Sequence, residues 1–233
     1  MDSNRKIAII VGVLFIIATV APIISAVPLS VVPQILGAEG DPDLTAISEN
    51  ENQVLIVALL WLTATASVVA IPILMFPILR KHNESLALGY VGARTFEGFF
   101  NAVNVISLLS LLSLSREFVT VGAPVASYFQ TSGALLLAVF DWSSLLLDLA
   151  WLLSVPVFSY VLYQSKLVPR WLSVWGLIGG ALWLATWPVR MFGLSPPMIE
   201  IFALPIAAQE MVLAVWLIVK GFSSSAIASG SAS

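Results

Sequence analysis

The chain has 233 residues, 59% hydrophobic and only 10% charged, with mean hydropathy +1.00 and a formal net charge of −3. A soluble domain needs roughly 25% charged residues to cover its surface, so most of this exterior has to face lipid, which excludes a cytosolic enzyme, a nucleic-acid module and a disordered chain. The lack of cysteine removes disulfides, thiolate metal sites and Cys nucleophiles, and the single histidine, His82, removes multi-His zinc and bis-His haem sites. No cofactor and no metal is expected.

A helix crosses the hydrocarbon core with about 20 apolar residues. Six stretches qualify: 7–27, 53–79, 86–114, 135–163, 171–193 and 199–220. None shows sustained period-two alternation, which argues against a barrel. The expected fold is all-α: a polytopic bundle of six transmembrane helices in one domain over residues 1–222, with a disordered tail over 223–233.

In chain order, the first span has Arg5 and Lys6 ahead of its apolar run and a weak cleavage context at Ile24-Ser25-Ala26. The run is long for a signal sequence, so a retained helix is expected. The loop 28–52 follows, the longest connection, carrying Glu39, Asp41, Asp43, Glu49 and Glu51. Asp41-Pro42-Asp43 has the chemistry to start a short surface helix. The acidic cluster lacks the ligand spacing of a calcium loop and reads as a solvated face. Helix 2 ends at Arg80 and Lys81. The segment 115–134 is polar, contains Gly and Pro, and is expected to connect helices 3 and 4. Lys166 and Arg170 flank the turn into helix 5, and Lys220 closes helix 6. With six spans, Arg5, Lys6, Arg80, Lys81, Lys166, Arg170 and Lys220 fall on one side and Arg116 and Arg190 on the other. The excess of Lys and Arg places the first side, with both termini, in the cytoplasm.

Charge inside a span is costly and therefore informative. On helix 3, Arg94, Glu97, Asn101 and Asn104 are spaced three, four and three and share one face. On helix 4, Asp141, Ser144 and Asp148 form a second stripe, and helix 6 adds Gln209 and Glu210 beyond Pro205. Lipid cannot solvate these faces, so they turn inward. The simplest expectation is that helices 3, 4 and 6 converge on one polar centre. Arg94 paired with Glu97 or Glu210 would simply glue the bundle. One arginine against Glu97, Asp141, Asp148 and Glu210 leaves carboxylates over, however. In a low dielectric the surplus must take up protons or hold a cationic ligand.

Trp183, Trp187 and Arg190 share a face of helix 5. They read either as an outer anchor with a snorkelling arginine, or as a stacked cation–π frame at a pocket mouth. Trp61, Trp142 and Trp151 lie deeper and would pack or line an apolar pocket. Gly176 and Gly180 form a G-x-x-x-G that allows close helix packing.

The run Lys81-His82-Asn83-Glu84-Ser85 to Gly89, with Arg94 and Glu97-Gly98, resembles a family of prokaryotic membrane proteins, domain-of-unknown-function 4386. So do Asn52-Gln53, Leu167-Val168-Pro169-Arg170-Trp171-Leu172 with Trp175-Gly176, and Glu210 with Trp216 to Gly221. The resemblance spans nearly the whole chain. It implies a six-helix bacterial or archaeal membrane protein, directs attention to Arg94, Glu97 and Glu210, and brings no activity with it.

The leading expectation is an intramembrane polar cavity that binds a small amphipathic or cationic ligand, as in a transporter, a sensor or a lipid-binding module. Proton coupling would run through Glu97, Asp148 or Glu210. The ligand- or proton-binding set is Arg94, Glu97, Asn101, Asp148 and Glu210, supported by Asn104, Asp141, Ser144, Gln209, Trp187 and Arg190. The partners are the lipid bilayer and a small-molecule or lipid ligand, with no nucleic acid. Two alternatives stay open. One is an intramembrane enzyme acting on a lipid or isoprenoid; the other is a structural or partner-binding subunit with paired charges and no cavity.

Overall fold

The computed structural model describes residues 3–25, 42–121, 126–194 and 199–229. The helices are α1 (Ser3–Ser25), α2 (Leu44–Glu49), α3 (Glu51–Leu79), α4 (Glu84–Val121), α5 (Ala126–Ser165), α6 (Arg170–Leu184), α7 (Trp187–Met191), α8 (Leu204–Val219) and α9 (Ser224–Ser229), with a 3-10 turn over Ile199–Ala203 before α8. No strand forms among the described residues. Six helical stretches are long and apolar enough to cross a membrane: Ser3–Ser25, Glu51–Leu79, Glu84–Val121, Ser127–Ser165, Arg170–Met191 and Ile201–Val219. The chain is an all-α, multi-pass membrane protein.

Local chemistry sets the helix ends. Asp43 caps α2, its carboxylate accepting from the Ala46 N–H at 3.0 Å. Asn83 caps α4 by accepting from the Leu86 N–H at 3.0 Å. Gly221, at φ +73°, takes the left-handed conformation that closes α8. Hydroxyls on lipid-exposed turns are satisfied within their own helix. Thr63, Thr95, Ser113, Thr120 and Thr131 each donate to the carbonyl four residues earlier.

Three expected boundaries change. The segment 115–134, read as a polar connection, is helical up to Val121 and again from Ala126. Its apolar residues pack: Phe129 is buried, and the Phe118 and Phe129 rings meet edge to face at 5.6 Å. The helix expected over 171–193 stops at Leu184 and restarts at Trp187 with Pro188 in its first turn, a position where proline's missing donor and fixed φ are tolerated. The tail expected to be disordered forms α9 over Ser224–Ser229, with Ala226 buried and Ile227 packed on the core. Residues 26–41, including Glu39 and Asp41, lie outside the described residues, as do 230–233 of the tail.

The chain divides into two compact units. The first comprises Met1–Thr19, Ala66–Gly98 and Asp148–Ser233; the second comprises Val20–Thr65 and Phe99–Leu147. In the first, one core joins Phe15, Ile71, Met75, Tyr90, Phe158 and Leu213, among others, and a smaller one joins Leu152, Val155, Trp183 and Ile206. In the second, Leu44, Ile47, Val54, Val105, Leu108 and Phe129 pack together. Glycines allow the closest approach in the first unit. A Cβ on Gly176 would lie 2.5 Å from Ser159 Oγ, and one on Gly180 would lie 2.6 Å from Val155 Cγ1. The G-x-x-x-G of α6 therefore lets that helix seat against α5.

Candidate functional site

In the first unit, α4, α5 and α8 bring ionisable groups together. Arg94 is only 4% exposed. Its Nη1 donates to Glu97 Oε2 at 2.7 Å, one turn along α4. Its Nη2 stands 4.0 Å from Glu210 Oε1 on α8, and its Nε donates weakly to the Tyr90 hydroxyl at 3.5 Å. The indole N–H of Trp151 on α5 donates to the same Glu210 oxygen at 3.2 Å. The guanidinium also lies over the Tyr90 and Phe15 rings, 5.8 and 6.0 Å from their centroids, where ring faces offset part of its lost hydration. Gln209, beside Glu210, is buried and donates to the Leu172 carbonyl at 3.1 Å.

A second ion pair in this unit joins α5 and α7. Arg190 Nη1 makes a short contact with Asp148 Oδ2, and the Trp183 indole donates to Asp148 Oδ1 at 3.1 Å. The Arg190 guanidinium stacks over Trp183 at 4.8 Å. The break before α7 lets this arginine serve Asp148. Asp148 is thus neutralised locally, and the surplus narrows to the Arg94 group. One positive charge there faces two carboxylates, leaving one negative charge if both ionise.

Asn101, Asn104, Asp141 and Ser144 of the expected set lie in the second unit. Asn101 donates to Thr65 Oγ1 at 2.7 Å and to the Trp61 carbonyl at 3.4 Å. Asn104 donates to Ser144 Oγ at 2.9 Å and accepts a short hydrogen bond from Ser143 Oγ. Asp141 is exposed. The first unit thus holds a charged cluster and the second a set of neutral hydrogen bonds. Of the three inner tryptophans, Trp61 donates to Ser25 Oγ at 2.9 Å and stacks on Phe140, Trp151 serves Glu210, and Trp142 is exposed. Trp187 packs at the smaller core beside Trp183.

Sequence reasoning missed Tyr90 and gave Trp151 and Trp183 no role as hydrogen-bond donors to carboxylates. Tyr90 stands four residues before Arg94 and Trp151 three after Asp148, so both continue the polar stripes by one turn. They were passed over because an aromatic ring reads as packing.

Beside the Arg94 group is a void of about 10 Å³, lined by Phe15, Tyr90, Arg94, Ser154, Gln209 and Glu210, among others. That is room for about one water and no more. The space beside the triad is too small for an organic molecule.

No curated protein matches the chain, and no solved structure does. Residues 10–221 match the family described as a domain of unknown function (DUF4386). That match covers most of a chain with six membrane-spanning helices and a buried Arg94–Glu97–Glu210 cluster, and the chain belongs to this family.

Proposed function

We propose that the protein is a proton-binding membrane protein, a transporter or sensor for a small amphipathic or cationic ligand, whose proton resides on the Arg94–Glu97–Glu210 triad. The observation that carries this reading is the uneven charge count at a buried site. Glu97 holds the close contact to Arg94 at 2.7 Å, and Glu210 stands off at 4.0 Å. Water cannot screen a second full negative charge there, so the triad is neutral only with one proton added. Glu210 carries that proton. It is the carboxyl farther from Arg94, and it borders the water-sized void. A ligand that opened the void would compete with the proton for Glu210, which couples the two. The reading places the protein in a prokaryotic cytoplasmic membrane, with both termini on the cytoplasmic side.

The test uses proteoliposomes containing an internal pH indicator, challenged with a panel of small organic cations. The native protein gives a ligand-dependent pH change. Glu210→Gln retains binding, measured separately by thermal shift, and loses the pH change. A pH trace that is the same in both proteins overturns the reading.

A further inference from the structure

At the end of the first unit where α5 meets α6 and α8 terminates, a pocket of about 460 Å³ opens. Its size falls within the roughly 300–1,000 Å³ range of small-molecule sites. Lys166, Arg170 and Lys220 surround it, and Val168, Trp216 and Phe222 supply its apolar surface. The three basic side chains are exposed, and among the described residues none has a carboxylate within 4 Å. Arg5 at the same end behaves differently. Its guanidinium donates to the Leu217, Ile218 and Val219 carbonyls at 3.0, 2.6 and 3.1 Å and serves as a cap on α8. The pocket therefore gathers three cations without an internal anion.

Two further features shape it. Lys166 has φ +56°, a left-handed conformation that a glycine or asparagine would adopt more cheaply at the end of α5. A lysine held there at a conformational cost points to use of its side chain. Arg170 lies over the Tyr163 ring at 5.0 Å, which fixes its guanidinium at the rim. Directly adjoining, along α8, is a groove of about 390 Å³ lined by Met211, Val212, Val215 and Val219, which shares Trp216 and Lys220 with the basic pocket.

A basic pocket continuous with an apolar groove on a membrane-spanning helix matches one chemistry: a phosphate diester on an acyl chain. We infer that this is a binding site for an anionic phospholipid. The headgroup phosphate sits among Lys166, Arg170 and Lys220, and one acyl chain lies along Met211–Val219 past Trp216. Charge complementarity selects an anionic lipid over a zwitterionic one, whose headgroup cation would meet three like charges. The site is separate from the Arg94 triad and does not depend on a proton there.

The experiment is native mass spectrometry of the full chain in a mild detergent with equimolar phosphatidylglycerol and phosphatidylcholine of identical acyl chains. Each cation near an anionic headgroup favours the anionic lipid roughly fivefold, so a preference of about tenfold or more is expected overall. The combined variant Lys166→Gln, Arg170→Gln, Lys220→Gln should reduce it to less than about twofold. A control variant, Arg80→Gln with Lys81→Gln, should keep the native preference. Inorganic phosphate at millimolar concentration should leave the lipid bound, since it cannot use the groove. Equal retention of the two lipids by the native protein overturns the proposal. So does an equal loss of preference in the control variant, which would mean a general basic face, and so does displacement of the lipid by phosphate alone, which would mean a free-anion site.

Discussion

The two units bury polar groups in opposite ways. In the second, the inner residues are amides and hydroxyls, and each donor finds an acceptor: Asn101 on Thr65, Asn104 with Ser143 and Ser144, Ser107 on the Leu136 carbonyl, Trp61 on Ser25. Its ion pair, Arg116 with Glu51, is exposed. In the first unit ionisable groups are buried beside neutral ones such as Ser154, Ser159 and Gln209, and the charge count at Arg94 is uneven. Neutral hydrogen bonds tie helices together at low cost whatever the surroundings. Buried charges cost several kcal/mol each to desolvate, so they are a poor way merely to join helices. The contrast locates the costly, uneven charge in the first unit.

The largest test of that contrast is Arg94→Ala. It leaves Glu97 and Glu210 without their cation, and loss of one partner of a buried pair costs about 3–5 kcal/mol. The thermal midpoint in detergent should fall far, or the protein should not be recovered folded. A drop no larger than that of a neutral substitution in the second unit would erase the distinction between the units. Next comes Asp148→Asn. The amide retains the shape and can still accept from Trp183, but it loses the charged contact to Arg190. A hydrogen bond to a charged group is worth about 1.5–3 kcal/mol, so denaturant unfolding should show a loss in that range, about half that of Arg94→Ala. The smallest is Asn104→Ala in the second unit. Interhelical hydrogen bonds between neutral groups in membranes average about 0.6 kcal/mol and reach about 1.7. A loss comparable with that of Arg94→Ala would mean that the neutral centre, too, is a strained functional site.

Much of the fold could be read from the sequence because the bilayer imposes a simple length rule. The six apolar stretches, and the start of α2 after Asp43, follow from composition and capping chemistry alone. The helical extensions over 115–121 and 126–134 did not, because Ser, Arg, Glu and Thr read as loop residues until Phe118 and Phe129 have something to pack on. Within the site, the spacing of Arg94 and Glu97 and the depth of Glu210 were enough to expect the triad. The hydrogen-bond partners of Asn101 and Asn104 were not legible. Residues three or four apart share a helix face, but a face extends over many turns, and spacing does not say which turns meet which neighbour. Arg190 was placed at a mouth and not at Asp148 because a straight helix 5 would carry it away; the interruption at Ala185–Thr186 returns it.

The most direct test of the central claim is the infrared spectrum of the purified protein in detergent at neutral pH, read in the C=O stretching region of protonated carboxyl groups, which ionised carboxylates leave empty. With one proton shared by two carboxylates at the triad, the native protein shows a protonated-carboxyl band. Glu210→Gln removes it, and so does Glu97→Gln, which leaves a single carboxylate beside Arg94 and no surplus charge to take up a proton. Native protein without such a band, or a band that Glu210→Gln leaves unchanged, would contradict a proton held on Glu210.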